Sequence, residues 1–199
     1  MPRRAVRSTF DAQYYRRFYE DPATRAASVH DATRQARFIA AYLRHLELPV
    51  TCIVDVGCGL GRLLRALGRQ FPKASTLGVE VSEHLCAQHG WTHSAAAEFS
   101  APTPFDLVVC HDVVQYLDDG EAVRAIANLA RLCRGALVFG VLTREDWDQN
   151  CDRSRTDAEV HLRAARWYRR RLARSFVNVG GGVYLKRPVR VTVWSLDQL

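Results

Sequence analysis

The segment from Ile53 to Leu64 constrains the fold of this chain more than any other. It reads Ile-Val-Asp-Val-Gly-Cys-Gly-Leu-Gly-Arg-Leu-Leu, so a β-branched run meets an acid, three glycines on alternate positions and an apolar helical pattern. This order predicts a strand, a tight turn and the start of a helix. Glycine lets a ligand approach where a Cβ would collide, and a helix N-terminus presents unpaired N–H groups. The segment therefore predicts a site for a nucleotide-like molecule.

The spacing of the glycines narrows the class of ligand. A dinucleotide fingerprint reads G-x-G-x-x-G, whereas here the third glycine, Gly61, comes one residue early and Arg62 stands in its place. Asp55 also puts a carboxylate at the mouth of the turn. A carboxylate there repels a pyrophosphate and attracts a cation, so the pattern favours a nucleoside that carries positive charge.

Strands and helices alternate from Thr51 onward, which predicts a parallel α/β sheet. We predict residues 1–48 as an N-terminal helical cap and 49–199 as the core of a single domain, with a polar loop at 143–152. Glycines 180–182 are expected to mark a bend near the sixth strand. The predicted strands are 52–56, 75–79, 91–95, 105–110, 136–142, 176–179 and 189–194, and the predicted helices are 11–20, 28–47, 61–71, 82–89, 119–133 and 158–173.

Polar residues end three of these strands. Asp55, Glu80 and the pair His111-Asp112 follow apolar runs, and the carboxyl ends of parallel strands share one edge of a sheet. A carboxylate at Glu80 can accept both hydroxyls of a ribose through charge-assisted bonds. The same acid occurs in NAD-binding proteins, so Glu80 indicates a nucleoside without choosing the cofactor.

The D-x-G-x-G-x-G pattern resembles motif I of the class I S-adenosylmethionine-dependent methyltransferases. Residues 78–82, 105–109, 111–117 and 129–142 resemble further motifs of that family in the same order. The resemblance implies a Rossmann-like, mostly parallel sheet of seven strands in the order 3-2-1-4-5-7-6, with helices on both faces and the last strand antiparallel.

The same resemblance implies the cofactor S-adenosylmethionine, with S-adenosylhomocysteine as product. The glycine loop would hold the methionine portion, Glu80 the ribose, and the segment with Ala96 and Glu98 the adenine. The cofactor contacts implied in this way are Asp55, Gly57, Cys58, Gly59, Gly61, Glu80, Val81, Ala96, Glu98 and His111.

Methyl transfer requires alignment of a nucleophile behind the methyl group and, for some acceptors, removal of a proton. His111 and Asp112 are the candidates for that base, and the alternative is that they bond only the loop or the cofactor. Gln115 stands where many members of the family have histidine, which weakens any base assigned by analogy. Tyr14, Tyr15 and Trp147 are candidate substrate contacts, with ordinary packing as the alternative interpretation.

Composition fits a globular domain, with 48% hydrophobic and 25% charged residues among 199. The net charge of +7 is nearly all arginine, which is typical of proteins that bind nucleic acid. The dense run from Arg163 to Arg174, however, fits the solvated face of an amphipathic helix, so a nucleic-acid partner is not favoured. Six cysteines without a C-x-x-C pair indicate a reducing, cytoplasmic location, and we expect no metal, no secretory signal and no membrane span.

The function predicted is methyl transfer to a small-molecule acceptor, with oligomeric state left open. An RNA or protein methyltransferase, a non-catalytic S-adenosylmethionine-binding protein and a dinucleotide-dependent oxidoreductase are the alternatives. The sequence identifies neither the acceptor nor the atom that is methylated.

Overall fold

Short β-branched and apolar runs form one sheet in the computed structural model, which describes residues 10–25 and 28–195. Seven strands of this described part lie in the order β3-β2-β1-β4-β5-β7-β6, and β7 runs antiparallel to both of its neighbours. The predicted fold class and strand order are confirmed. The strands are β1 Cys52–Val56, β2 Ser75–Glu80, β3 Thr92–His93, β4 Phe105–His111, β5 Cys133–Gly140, β6 Phe176–Asn178 and β7 Val183–Lys186.

Helices cover both faces of this sheet because the strands are apolar on both sides. Val54 and Val108 pack into the core on one face, whereas their neighbours Ile53 and Leu107 pack into the core on the other. The helices are α1 Ala12–Tyr15, continued as a π-helix over Arg16–Glu20, then α2 Val29–His45, α3 Arg62–Gln70, α4 Glu83–His89, a 3-10 turn Val114–Tyr116, α5 Asp119–Leu132, α6 Arg144–Gln149 and α7 Ala165–Leu172.

The last predicted strand is wrong. Residues 189–194 form no strand, and the antiparallel strand is Val183–Lys186. Gly180, Gly181 and Gly182 all have positive φ, at 86°, 59° and 76°, and turn the chain back so that β7 pairs with β6. The alternating valines that suggested a strand instead pack as partly buried side chains against the core.

One predicted loop and one predicted helix also need correction. The predicted loop at 143–152 contains α6, which Thr143 and Asp146 begin with a reciprocal capping box. The helix predicted from 158 begins only at Ala165, because the preceding residues bond elsewhere: the N–H of His161 donates to the carbonyl of Gln115 at 2.7 Å, and Arg163 pairs as an isolated bridge with Thr143.

Within residues 10–25 and 28–195, the helices are all too short or too polar to reach across a lipid bilayer. The longest of them, α2, has 17 residues.

Candidate active site

The glycine turn follows β1 and is fastened to the end of β2. The N–H groups of Gly57 and Cys58 both donate to the carbonyl of Val79, at 2.7 and 3.0 Å. Gly57 and Gly61 serve packing, because a Cβ at Gly57 would lie 2.2 Å from Val113 and one at Gly61 would lie 2.4 Å from the ring of Trp91. These two glycines are therefore required by neighbouring side chains of the protein itself.

Gly59 differs from the other two glycines of the turn. A Cβ built on it would meet only the ring of Tyr15, at 3.8 Å, and Gly59 lines a cavity. Its carbonyl accepts a hydrogen bond from the indole of Trp91 at 3.0 Å, which holds the turn in place. Gly59 is thus the glycine that leaves room for a ligand.

Glu80 ends β2 beside this turn with its side chain buried. Its carboxylate accepts hydrogen bonds from three backbone N–H groups, those of Gly59 at 2.8 Å, Val81 at 2.8 Å and Ser82 at 3.0 Å. The Tyr15 hydroxyl donates to the same carboxylate at 3.4 Å. A carboxylate oriented in this way presents a fixed acceptor to a ligand hydroxyl.

Aromatic side chains from the N-terminal helix cover the cavity. Asp11 caps α1 by accepting from the N–H of Tyr14, and the Tyr14 hydroxyl lies 2.9 Å from that of Tyr116. The wider π-helical turn also brings Tyr19, five residues after Tyr14, to the same cavity. The N-terminal helix therefore lies over the site, whereas the extent of the cap, residues 1–48, stays a prediction.

The cavity has a volume of about 260 Å³ and lies over the carboxyl ends of β1, β2 and β4. It is the place that the strand-end argument indicated for a ligand. The predicted site residues that line it are Tyr14, Tyr15, Gly57, Gly59, Glu80, Val81, Ala96, His111 and Asp112.

Glu98 and Trp147 do not line this cavity, and their cofactor and substrate contacts stay predictions. Asn128 donates to the carbonyls of Ala96 and Phe99, both at 2.9 Å, which fixes the turn after β3 with Phe99 buried and Glu98 exposed. Trp147 lies on α6 beneath the guanidinium of Arg153, 5.2 Å from its ring centroid.

Asp55 in β1 and the turn residues Cys58 and Gly61 do not line the cavity. Asp55 is the fourth residue of β1 and is buried. Burial raises the pKa of the Asp55 carboxyl to about 7, with a further rise from the charge of Glu80 and a partial offset from His111. Asp55 is thus a buried carboxyl whose ionisation a nearby cation would favour.

His111 and Asp112 form a hydrogen-bonded pair at the end of β4, with 2.9 Å between Nδ1 and Oδ2. Burial opposes the charged imidazole, but Asp112 and the charge of Asp55 outweigh it and raise the pKa of His111. Burial likewise opposes ionisation of Asp112, yet His111 and Gln115 lower its pKa. The two shifts therefore favour the ionised pair, with His111 protonated and Asp112 deprotonated.

The backbone of Asp112 lies in the left-handed region, with φ 58°. This conformation costs a non-glycine residue about 1 kcal/mol, and it occurs here at the edge of the cavity. The Gln115 amide supports it by donating to Asp112 Oδ1 at 3.3 Å.

The sequence interpretation missed several residues that line the cavity. Asp118 and Glu121 carry a detectable signal, since they form the capping box that begins α5. His161 carries none, because the backbone bond to Gln115 brings it in from a distant part of the chain. The cavity-lining residues not predicted are Phe10, Tyr19, Ser94, Ala95, Val113, Tyr116, Leu117, Asp118, Glu121 and His161.

The arrangement fits an adenosyl ligand that carries positive charge. Gly59 leaves open space, Glu80 holds an oriented carboxylate for hydroxyls, and Asp55 and Asp112 place further carboxyl groups next to the same strand ends. Across the residues that the structure describes, there is no group of three or more His, Cys, Asp or Glu side chains arranged to hold a metal ion.

Sheet order and site together define the fold of the class I methyltransferases. Residues 54–135 match the family model of a methyltransferase domain. The class predicted from the sequence and its cofactor, S-adenosylmethionine, are confirmed at the level of this domain.

Similar proteins agree with this assignment. A ubiquinone biosynthesis O-methyltransferase of Methylococcus capsulatus is 32% identical over 115 residues, which is 50% of this chain and 47% of the relative. Nodulation protein S of Sinorhizobium fredii is 27% identical over 149 residues, covering 67% of this chain and 64% of that protein. The chain thus spans about half to two thirds of the length of these relatives.

A solved structure resembles most of the fold. The magnesium protoporphyrin IX methyltransferase of Synechocystis, crystallised with bound S-adenosylhomocysteine, superposes with a TM-score of 0.61 at 18% identity, over 91% of this chain and 95% of that one. At this identity the likeness concerns the fold.

Proposed function

We propose that this protein transfers the methyl group of S-adenosylmethionine to a small-molecule acceptor. The observation that carries the proposal is the covered cavity over the strand ends, with open space at Gly59 and the oriented carboxylate of Glu80 beneath. Aromatic side chains of α1 and the π-helix narrow access to it, which suits a small acceptor more than a folded macromolecule. The ubiquinone biosynthesis relative supports the same class.

In this proposal Glu80 accepts the ribose hydroxyls, and the turn around Gly59 holds the methionine portion. The Tyr15 hydroxyl, which now bonds to Glu80, gives up that bond to the cofactor. Asp55 supports the positive end of the cofactor electrostatically from beneath the turn. His111 and Asp112 remain candidates for proton removal. Only a deprotonated imidazole can accept a proton, and because the pKa of His111 is raised, His111 would act as a base at a higher pH than an ordinary histidine.

The arginine run offers less support for a nucleic-acid acceptor than its composition suggests. Arg163 is buried, and the Arg171 guanidinium lies 3.5 Å from the ring centroid of Trp167.

The six cysteines are free in the structure, which supports a reducing location such as the cytoplasm.

Isothermal titration of S-adenosylmethionine, S-adenosylhomocysteine and NAD tests the cofactor. We expect the two adenosyl ligands to bind and NAD not to bind. Glu80→Gln should abolish this binding, whereas Glu83→Gln, a matched change of an exposed acid on α4, should leave it intact. Binding of NAD alone, or equal effects of the two variants, contradicts the proposal.

Turnover distinguishes the enzyme from a non-catalytic binding protein. Release of S-adenosylhomocysteine in the presence of a small acceptor supports an enzyme. Tight cofactor binding without release on a broad panel of acceptors favours the binding protein. Salt-sensitive binding of RNA would favour the nucleic-acid alternative.

A further inference from the structure

A second cavity adjoins the first one on the side of α6. It has a volume of about 550 Å³, and Tyr14, Tyr19, Asp112 and Tyr116 line both cavities. We call it the acceptor pocket, because under the proposed function it is the space next to the cofactor. Its remaining lining comes from Asp146 on α6, from the irregular segment 150–160, and from Phe18, Gln115 and Leu142.

Carboxylates outnumber cations in the lining of the acceptor pocket. Asp112, Asp146, Asp152 and Asp157 line it, against one arginine, Arg155, among the described residues. Arg155 is itself paired with Asp152, with 3.6 Å between Nε and Oδ2. The lining therefore carries an excess of negative charge.

Three of these carboxylates have structural partners, Asp152 with Arg155 among them, and Asp157 keeps one oxygen for a ligand. Asp146 caps α6 through Thr143, and Asp112 is paired with His111. Asp157 accepts a bond from the backbone N–H of Glu159, at 2.9 Å to one oxygen. Asp157 lines the acceptor pocket together with Tyr14 and Tyr116, which belong to both cavities.

Gln115 is an independent sign of a ligand in this pocket. It lines the pocket and is only 4% exposed, yet its carbonyl oxygen Oε1 has no hydrogen-bond partner among the described residues. The amide nitrogen of Gln115 donates to Asp112 Oδ1. Exchanging the positions of the amide nitrogen and oxygen would break this bond, so the oxygen stays where it has no donor. A buried acceptor without a donor is costly, and a donor on a bound molecule would satisfy it.

Part of the lining of the acceptor pocket is aromatic. Tyr14, Phe18 and Tyr19 line the pocket, and the rings of Tyr14 and Phe18 lie 5.0 Å apart. Aromatic faces attract cations when water is excluded. Carboxylates, an unpaired acceptor and aromatic faces all favour the same kind of group, a positively charged hydrogen-bond donor.

We propose that the acceptor pocket recognises its substrate through an ammonium group, so that the acceptor is a small amine rather than a carboxylate or a phosphate. The inference rests on the proposed function. Asp157 supplies the charge, and Gln115 supplies the neutral acceptor. The two act as binding residues, and the methylated atom lies elsewhere on the acceptor or is the same nitrogen after loss of a proton.

Paired probes test this proposal on the full chain saturated with S-adenosylhomocysteine. Putrescine, glucosamine and tyramine are titrated against their uncharged counterparts 1,4-butanediol, glucose and 4-ethylphenol, with succinate as the anion. We expect at least one amine to bind at about millimolar concentration or below, and its counterpart and succinate to bind at least about tenfold more weakly. Asp157→Asn should weaken the bound amine at least about fivefold without changing affinity for S-adenosylhomocysteine.

Asp148→Asn is the matched control, since Asp148 is an exposed acid on α6 that lies outside the pocket lining. Asp157→Lys extends the test, because reversal of charge should abolish amine binding and admit succinate. If no amine binds to protein that holds S-adenosylhomocysteine, if neutral probes bind equally well, or if the Asp157 and Asp148 variants behave alike, the inference is wrong. Failure of S-adenosylhomocysteine itself to bind overturns the proposed function instead.

Discussion

At the scale of single residues, the three glycines of the turn share a motif but do different work. Packing against Val113 and Trp91 requires Gly57 and Gly61, whereas a Cβ at Gly59 would make only an ordinary contact with Tyr15, at 3.8 Å. A motif shows only that small residues alternate, so the sequence predicted one common role for all three. The distinction depends on the side chains of Val113, in the segment after β4, and Trp91, directly before β3.

We predict that Gly59→Ala and Gly57→Ala have opposite profiles. Gly59 has φ 52°, so alanine there costs about 1 kcal/mol of unfolding free energy, and its methyl group occupies ligand space. Affinity for S-adenosylmethionine should fall by about tenfold or more. Gly57→Ala adds a clash at 2.2 Å to its positive φ and should cost about 3 kcal/mol. Urea denaturation and calorimetric titration measure the two effects, and equal losses of stability would contradict the assignment.

Gly140 tests the role of His111 without changing the histidine. A Cβ at Gly140 would lie 2.3 Å from Cδ2 of His111, so Gly140→Ala must move the ring away from its bond to Asp112. If His111 takes part in the reaction, turnover should fall at least about tenfold while cofactor affinity changes less. Gly68→Ala on α3 is the control, because its Cβ would make an ordinary contact at 3.5 Å with Thr76. Unchanged turnover in the Gly140 variant would exclude His111 from the reaction.

At the scale of elements, predictions from the sequence succeeded where strands are bounded locally. β1 and β2 lie within one residue of their predicted limits, because glycines and acids end their β-branched runs. α7 and β7 depended on contacts distant in sequence. The start of α7 is set by the partners of His161 and Arg163, and the position of β7 is set by the hairpin at 180–182.

For Arg163 the prediction from the neighbouring sequence was wrong. Its position in an arginine run predicted a solvated face, yet its guanidinium is buried and donates to Asp119 at 2.7 Å and to the carbonyl of Leu117 at 2.6 Å. It also lies 3.2 Å from the hydroxyl of Tyr168. One side chain thus joins the turn beneath the cavity to α5 and α7.

We predict that Arg163→Lys lowers the unfolding free energy by about 2 kcal/mol or more, because an ammonium cannot reach these divergent acceptors together and buried carbonyls lose their donor. Arg166→Lys, an exposed neighbour on α7, should change it by less than about 0.5 kcal/mol. Chemical denaturation of both variants measures the difference. Equal stability of the two variants would contradict this role and would favour the solvated position that the sequence suggested for Arg163.

At the scale of the whole molecule, the strand ends concentrate acidic groups that the fold alone does not need. Asp55 and Glu80 are buried in a protein with a net charge of +7, and Asp112 adjoins them across the site. The sequence predicted this convergence because parallel strands end at one edge. It did not predict the second, acidic cavity beside it, because segment 150–160 reaches that place only through the tertiary fold.

The cost of this arrangement should appear in the pH dependence of stability. The pKa of Asp55 is about 7 in the folded protein, whereas an unfolded chain has the usual value near 4, so between these values the native state holds a proton that the unfolded state has lost. The unfolding free energy should therefore fall as pH rises through this window, by as much as about 4 kcal/mol from this group.

Asp55→Asn should remove this dependence of the unfolding free energy on pH, and Asp148→Asn, a change of an exposed acid, should preserve it. S-adenosylmethionine should flatten the slope in the parent protein, because a cation above the turn favours the ionised carboxylate that burial opposes. Urea denaturation across pH 4 to 8, with and without cofactor, measures all three, and a slope that survives in Asp55→Asn would place its origin in another group.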